Sequence, residues 1–141
     1  MTESVKLTRD AEIACLVLNR PHAFNAIDRD LVETLAAQLI TLAVDPVRAV
    51  VISGEGKAFC AGGDLKYFLS DPQGPGRAIH QTARYFHQAI IEIRRMEKPV
   101  IAVINGVAAG GGFSLALASN LNTTREQDVK FNPAKPHPLG K

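Results

Sequence analysis

A chain of 141 residues, 46% hydrophobic and 21% charged, has the length and composition of one globular domain with its own core. Sixteen basic residues against 14 acidic ones, a formal net charge of +2 with no long basic run, give no electrostatic case for nucleic acid, and no such partner is expected. The polar start MTESVKLTRD lacks a leader's apolar segment, no run of about 18 apolar residues occurs, and Cys15 and Cys60 stand far apart. A cytoplasmic location, reduced thiols and no membrane contact are therefore expected.

Val5 to Thr8 and Ile13 to Leu18 read as strands of a hairpin about the polar turn Arg9-Asp10-Ala11-Glu12. Arg20-Pro21-His22-Ala23-Phe24-Asn25 then breaks regular structure, because proline holds its predecessor extended. From Asp28, an N-cap type, a helix is expected to about Val44, with Leu31, Leu35, Leu39 and Leu42 on one face and Asp45-Pro46 as its stop. Val47 to Ser53 is the next strand, and Gly54-Glu55-Gly56 turns the chain into KAFCAGGDLK, Lys57 to Lys66.

Two prolines and two glycines in Asp71 to Gly76 predict a mobile surface loop. Arg77 to Met96 reads as an amphipathic helix burying Ile79, Phe86, Ile90 and Ile93, with Arg84, Arg94 and Arg95 toward solvent. Pro99 introduces Val100 to Ile104, an apolar strand expected to be covered on both faces. Strand, helix and parallel strand in succession define the α/β class. Leu121 to Thr124 and Val129 to Phe131 form two further candidate strands, and the three prolines of Asn132 to Lys141 predict an irregular end. The domain division expected is thus 1–124 with a tail at 125–141.

The chemistry concentrates in Lys98 to Ala118, KPVIAVINGVAAGGGFSLALA, where a buried strand passes through three successive glycines into a helix. Helix N-termini carry unpaired N–H groups and partial positive charge, and glycines at 110, 111 and 112 let a carbonyl oxygen or a phosphate approach closely. A tight strand-to-helix corner is the plainer reading. KAFCAGGDLK is a second such turn after a buried strand, so the two can face one pocket.

Taken in order, LNRPHAFNAID (Leu18 to Asp28), KAFCAGGDLK and the Gly110 turn resemble the crotonase superfamily of enoyl-CoA hydratases and isomerases, over roughly Val5 to Ala118. The resemblance implies a crotonase-like spiral of strand-strand-helix units, with this chain corresponding to the N-terminal half. Family members continue about as long again and build trimers. It also implies an acyl-CoA substrate of fatty-acid or aromatic-acid metabolism, with coenzyme A present as part of that substrate, no separate cofactor and no metal. By position in the motifs, Gly63 and Gly111 would grip the thioester carbonyl through their N–H groups. Ala61, Asp64, Leu65 and Lys66 would line the coenzyme A side, and Arg20, Ala23 and Phe24 would lie near the pantetheine or adenine. Solvated surface charge is the competing reading of Lys66 and Arg20.

Ser114 stands where related hydratases carry a catalytic glutamate, and Lys135 stands nearest the place of a second. A serine hydroxyl is a poor unassisted base, so this departure opposes plain hydration and leaves Ser114 to hold water or substrate. Two functions follow: an enoyl-CoA hydratase/isomerase-type enzyme stabilising a thioester enolate, or a non-catalytic acyl-CoA-binding module. A remote third is a serine hydrolase, since Gly112-Phe113-Ser114-Leu115-Ala116 falls one glycine short of a nucleophile elbow, with Asp128 and His137 following in order. His80 and His87 lack partners at metal spacing, and Cys60 reads as core filler.

Overall fold

The computed structural model describes residues 3–124, which form seven strands and four α-helices. Strand β1 (Val5–Asp10) turns through Ala11 and Glu12 into the antiparallel β2 (Ile13–Leu18), pairing Val5 with Leu18 and Asp10 with Ile13. β3 (Ala49–Gly54), β5 (Val100–Ile104) and β7 (Leu121–Thr124) continue the sheet in parallel, in the order β1-β2-β3-β5-β7. The hairpin, the parallel α/β sheet and the Leu121 strand are as the sequence predicts. The candidate strand at Val129 to Phe131 and the tail at 125–141 lie outside the described residues.

Helix α1 (Arg29–Ala43) connects β2 to β3. Its N-cap is Asp28, whose side chain accepts from the Leu31 N–H at 2.9 Å. Leu31, Leu35, Leu39 and Leu42 are buried as their spacing requires, together with Val32 and Ala36. α1 packs against α3 (Pro75–Arg95), and the core between helices and sheet is filled by Leu16, Leu18, Ile52, Phe59, Ile93 and Leu115.

Four expectations need correction. α3 starts at Pro75, inside the stretch read as a loop: Pro75 takes the first helical position, where a missing N–H costs nothing, and Gly74 supplies the positive φ of 99° before it. The four residues left are a closed turn in which the Asp71 carboxylate accepts from the Gln73 N–H. Ile79 is 46% exposed, because the face α3 buries is set by Ile93 and by Ala78, Thr82 and Ala89, three small residues that let α3 lie close to its neighbours. In β5 only Val100 and Ala102 are fully buried, so one face of that strand is covered and the other half-covered. Finally, a second sheet exists that the sequence reading lacks, the short parallel pair β4 (Ala58–Cys60) and β6 (Val107–Ala108). Between β4 and α3 runs α2 (Leu65–Leu69), and α4 (Gly111–Ala118) follows β6.

Candidate active site

The β4–β6 pair brings the two glycine turns together. Ala58 pairs with Val107 and Cys60 with Ala108, and the Ala109 N–H donates to the Cys60 carbonyl at 3.0 Å. Immediately beyond, Gly62 and Gly110 touch: a Cβ on Gly62 would lie 3.0 Å from the Ala109 carbonyl oxygen, and one on Gly110 3.7 Å from the Gly62 Cα. Gly106 and Gly112 serve packing only, since their Cβ atoms would fall 1.9 Å from the Lys57 oxygen and 2.1 Å from the Cys60 oxygen. The third glycine of the Gly110 run is thus buried against β4, while Gly63 is exposed and Gly111 half-buried.

LNRPHAFNAID fixes the direction of the Gly63 amide. The Ile27 N–H donates to the Gly62 carbonyl at 2.7 Å, and the Asp64 N–H donates to the Ile27 carbonyl at 2.9 Å. In a trans peptide the C=O and N–H point in opposite directions, so holding the Gly62 oxygen toward Ile27 turns the Gly63 N–H away from it. Gly111 is the first residue of α4, with Gly110 as its N-cap at φ 53°, and a first-turn N–H has no partner within its own helix. Among the described residues, neither the Gly63 nor the Gly111 N–H donates to a backbone carbonyl.

Two buried asparagines and one arginine hold this arrangement. Asn25, at φ 56°, donates to the Glu55 and Ala58 carbonyls at 3.0 and 2.8 Å and accepts from the Arg20 N–H at 2.7 Å. Asn105 donates to the Gly56 and Ala58 carbonyls at 2.8 and 3.1 Å and accepts from the Gly54 N–H at 3.1 Å. The Arg20 guanidinium donates to the Ala26 carbonyl at 2.6 Å and pairs with Asp64 at 3.1 Å and Asp28 at 3.5 Å.

Arg20 is not a solvated charge: its side chain is 16% exposed and its guanidinium faces two carboxylates. Asp64 is the N-cap of α2, accepting from the Tyr67 N–H at 3.1 Å, and its other oxygen pairs with Arg20. Lys66 is exposed, as are Ala61, Leu65 (71%) and Phe24 (57%), while Ala23 is half-buried. Phe24 has φ 54°, a left-handed conformation that costs a bulky residue energy, and its carbonyl accepts from the Ala61 N–H at 3.1 Å.

Ser114 is exposed one turn into α4, its Oγ 3.5 Å from the Gly110 carbonyl oxygen. A nucleophile elbow presents its serine at the strand-to-helix turn itself, a place held here by Gly110 and Gly111. Lys135, Asp128 and His137 lie outside the described residues. Cys60 is buried, and burial pushes its thiol up to about 11, against a smaller opposing effect of the Gly62 N–H. His80 and His87 are both exposed on α3. Among the described residues no cluster of His, Cys, Asp and Glu is placed to hold a metal ion, and no helix is long and apolar enough to cross a membrane.

The positioning residues Asn25, Ile27 and Asn105 were not singled out in the sequence. Asparagine followed closely by small residues or glycine signals a turn, but nothing local says that two such side chains meet at one carbonyl.

The family model described as enoyl-CoA hydratase/isomerase matches residues 13–129. Among curated proteins, the chain is 40% identical over 116 residues to the mevalonyl-coenzyme A hydratase of Beauveria bassiana, covering 77% of this chain and 41% of that protein. It is 40% identical over 127 residues to 4-chlorobenzoyl coenzyme A dehalogenase-2 of an Arthrobacter species, covering 86% of this chain and 45% of that protein. Among solved structures, the enoyl-CoA hydratase of Mycobacterium smegmatis superposes with a TM-score of 0.79 at 35% identity, over 86% of this chain and 47% of that one. The chain spans less than half the length of each of these three proteins.

Proposed function

This chain belongs to the enoyl-CoA hydratase/isomerase (crotonase) superfamily, and on that premise we propose that it binds an acyl-CoA thioester and polarises the thioester carbonyl between the Gly63 and Gly111 N–H groups. One observation carries the reading: two glycine turns, 48 residues apart and stitched by β4 and β6, each leave an N–H without a backbone acceptor among the described residues, Gly63 exposed and Gly111 half-buried. A thioester oxygen gains negative charge when its α-carbon is deprotonated or its β-carbon attacked. Two preset donors therefore favour the transition state over the ground state, each worth about 3 to 4 kcal/mol in barrier.

The names of the similar proteins support the class of ligand and leave the reaction open. A hydratase and a dehalogenase with unlike acyl groups have the coenzyme A thioester in common. Phe24 and Ala61, joined through their backbones, and Leu65 are exposed and apolar, as a pantetheine arm would need, and the exposed Lys66 could serve a phosphate.

A binding module without turnover is the second reading, and a specific observation favours it. From Asn105 to Thr124, through β6, the glycine turn and α4, there is no acidic residue and no histidine. Ser114, in the first turns of α4, offers only a hydroxyl bonded back to its own helix.

Calorimetry tests the shared core of both readings. Acyl-CoA should bind more tightly than the free carboxylate of the same acyl group. Gly111→Pro deletes an N–H where helices accept proline, and should weaken acyl-CoA binding, whereas Gly111→Ala retains the donor and meets two side chains, the Ile27 Cδ1 at 3.0 Å and the Phe86 ring at 3.6 Å. Equal affinities for the two ligands, or equal effects of the two substitutions, refute the carbonyl grip.

A further inference from the structure

We propose that Arg20 is a positioning residue for the Gly63 N–H and contacts no part of the ligand. This inference rests on the carbonyl grip proposed above and assigns the internal device that aims one of its two donors.

The direction of the Gly63 N–H follows from the Gly62–Gly63 peptide plane, which is set by the two hydrogen bonds that residues 62 and 64 make to the backbone of Ile27. Arg20 ties together the residues flanking both sides of that pairing. One nitrogen of its fork reaches the Ala26 carbonyl and Asp64, and the other reaches Asp28. Positions 26 and 28 bracket Ile27, and position 64 follows Gly63 directly. Without the guanidinium, Ile27 would be held against the glycine turn only by its two backbone hydrogen bonds and the burial of its side chain, neither of which fixes the residues on either side of it.

The two aspartates divide their oxygens in the same way. In Asp28 one oxygen accepts from the Leu31 N–H and the other faces Arg20; in Asp64 one accepts from the Tyr67 N–H and the other faces Arg20. Arg20 therefore links the N-caps of α1 and α2, the two helices that begin just after the paired segments. A planar fork with fixed donor directions suits this threefold task, and a lysine could not reproduce it. The three side chains are mostly buried, at 16, 16 and 13% exposure, and the two carboxylates compensate the positive charge locally. The partners of this guanidinium are thus a backbone carbonyl and two carboxylates of the chain itself.

The test separates aiming from ligand contact and reads the 141-residue chain with three substitutions. Binding of coenzyme A and of a short acyl-CoA is measured by calorimetry, and the carbonyl stretch of a carbon-13-labelled acyl-CoA is read by difference infrared spectroscopy. Wild type should shift that stretch to lower frequency; no shift would remove the carbonyl grip itself and this inference with it. With the grip intact, Arg20→Gln should lose most of the shift and weaken acyl-CoA about tenfold, the size of one lost hydrogen bond, while leaving coenzyme A affinity unchanged.

Asp64→Asn keeps a good N-cap and removes one carboxylate partner, so it should lose part of the shift in the same direction even if Arg20→Gln folds poorly. Arg20→Lys should not restore the shift. A shift retained in Arg20→Gln or in Asp64→Asn overturns the inference. So does a loss of coenzyme A affinity in Arg20→Gln that grows as salt is lowered, which would make Arg20 a phosphate contact.

Discussion

The side-chain amides of Asn25 and Asn105, 80 positions apart in the sequence, donate to the same acceptor, the carbonyl oxygen of Ala58, at 2.8 and 3.1 Å. Ala58 opens β4, the strand that ends at the Gly62–Gly63 turn, so the two asparagines fix where that turn begins. Both are buried, and each also satisfies backbone groups around Gly54 to Gly56 that have no strand partner there.

Asn105→Ala should therefore destabilise the chain by about 2 to 4 kcal/mol, because it strands a buried N–H of Gly54 and a carbonyl of Gly56 as well as removing three bonds. Asn25→Gly preserves the positive φ and removes only the side-chain bonds, so it should cost a similar amount and show that hydrogen bonding, more than backbone conformation, is what Asn25 supplies. Urea titration of the three chains reads both values. A loss below about 0.5 kcal/mol for Asn105→Ala would mean that water replaces the amide.

The glycines divide by what surrounds them. Gly112→Ala places a Cβ 2.1 Å from a backbone oxygen of β4, which has no room to yield, and should cost about 3 kcal/mol or more while separating the two turns. Gly76, in the first turn of α3, has nothing within 4 Å of its Cβ position, and Gly76→Ala should stabilise by about 0.5 to 1 kcal/mol through the unfolded chain. Thermal melts of both variants decide it; equal effects would contradict this division.

These residues also mark how far the sequence could be read. Long periodic elements were legible: the leucine spacing of α1, the Asp28 cap, and the apolar run of β5 each state their structure locally. β4 and β6, three and two residues long, were not, because a pair that short has no period and exists only through contact between distant segments. The competing reading of Arg20 as solvated charge arose for a related reason. A charged residue in a polar, proline-containing loop reads as surface until its two carboxylate partners, 8 and 44 positions later, are brought beside it. In α3, Ile93 is buried and Phe86 and Ile90 pack against the core as their spacing predicts; Ile79 does not, because in its turn Ala78 and Thr82 carry the buried face.

Cys60 gives a pH dependence with a defined sign. Its thiol is raised by burial from 9.0 to about 11 in the folded chain, so between those values the unfolded chain has lost the proton and the folded chain keeps it. Stability from this group is intact below pH 9 and declines as pH rises toward 11. Melting temperatures across that range should fall less steeply in Cys60→Ala than in wild type. In the native protein at pH 8 a disulfide reagent should modify Cys15, which is partly exposed, well before Cys60. Parallel slopes, or a fast Cys60, would contradict the burial argument.

The 141-residue chain should bind a short enoyl-CoA and yet hydrate it little or not at all. Hydration needs a group that takes a proton from water as it attacks the β-carbon and a group that returns one to the α-carbon. The segment facing Gly63 offers no such group between Asn105 and Thr124, and the Ser114 hydroxyl, exposed and 3.5 Å from the Gly110 carbonyl oxygen, has no described base beside it. Losing general acid–base assistance removes a factor of about 100 to 10,000, which would leave carbonyl polarisation as the principal catalytic effect. The assay is the loss of enoyl-CoA absorbance on adding monodisperse protein, with Ser114→Ala and Ser114→Glu run alongside. Ser114→Ala should match wild type, and Ser114→Glu, which puts a carboxylate one turn into α4, should raise whatever rate is seen. Robust turnover by the wild type that Ser114→Ala abolishes would make serine the proton carrier and overturn the assignment of this site as a carbonyl grip without its own acid–base pair.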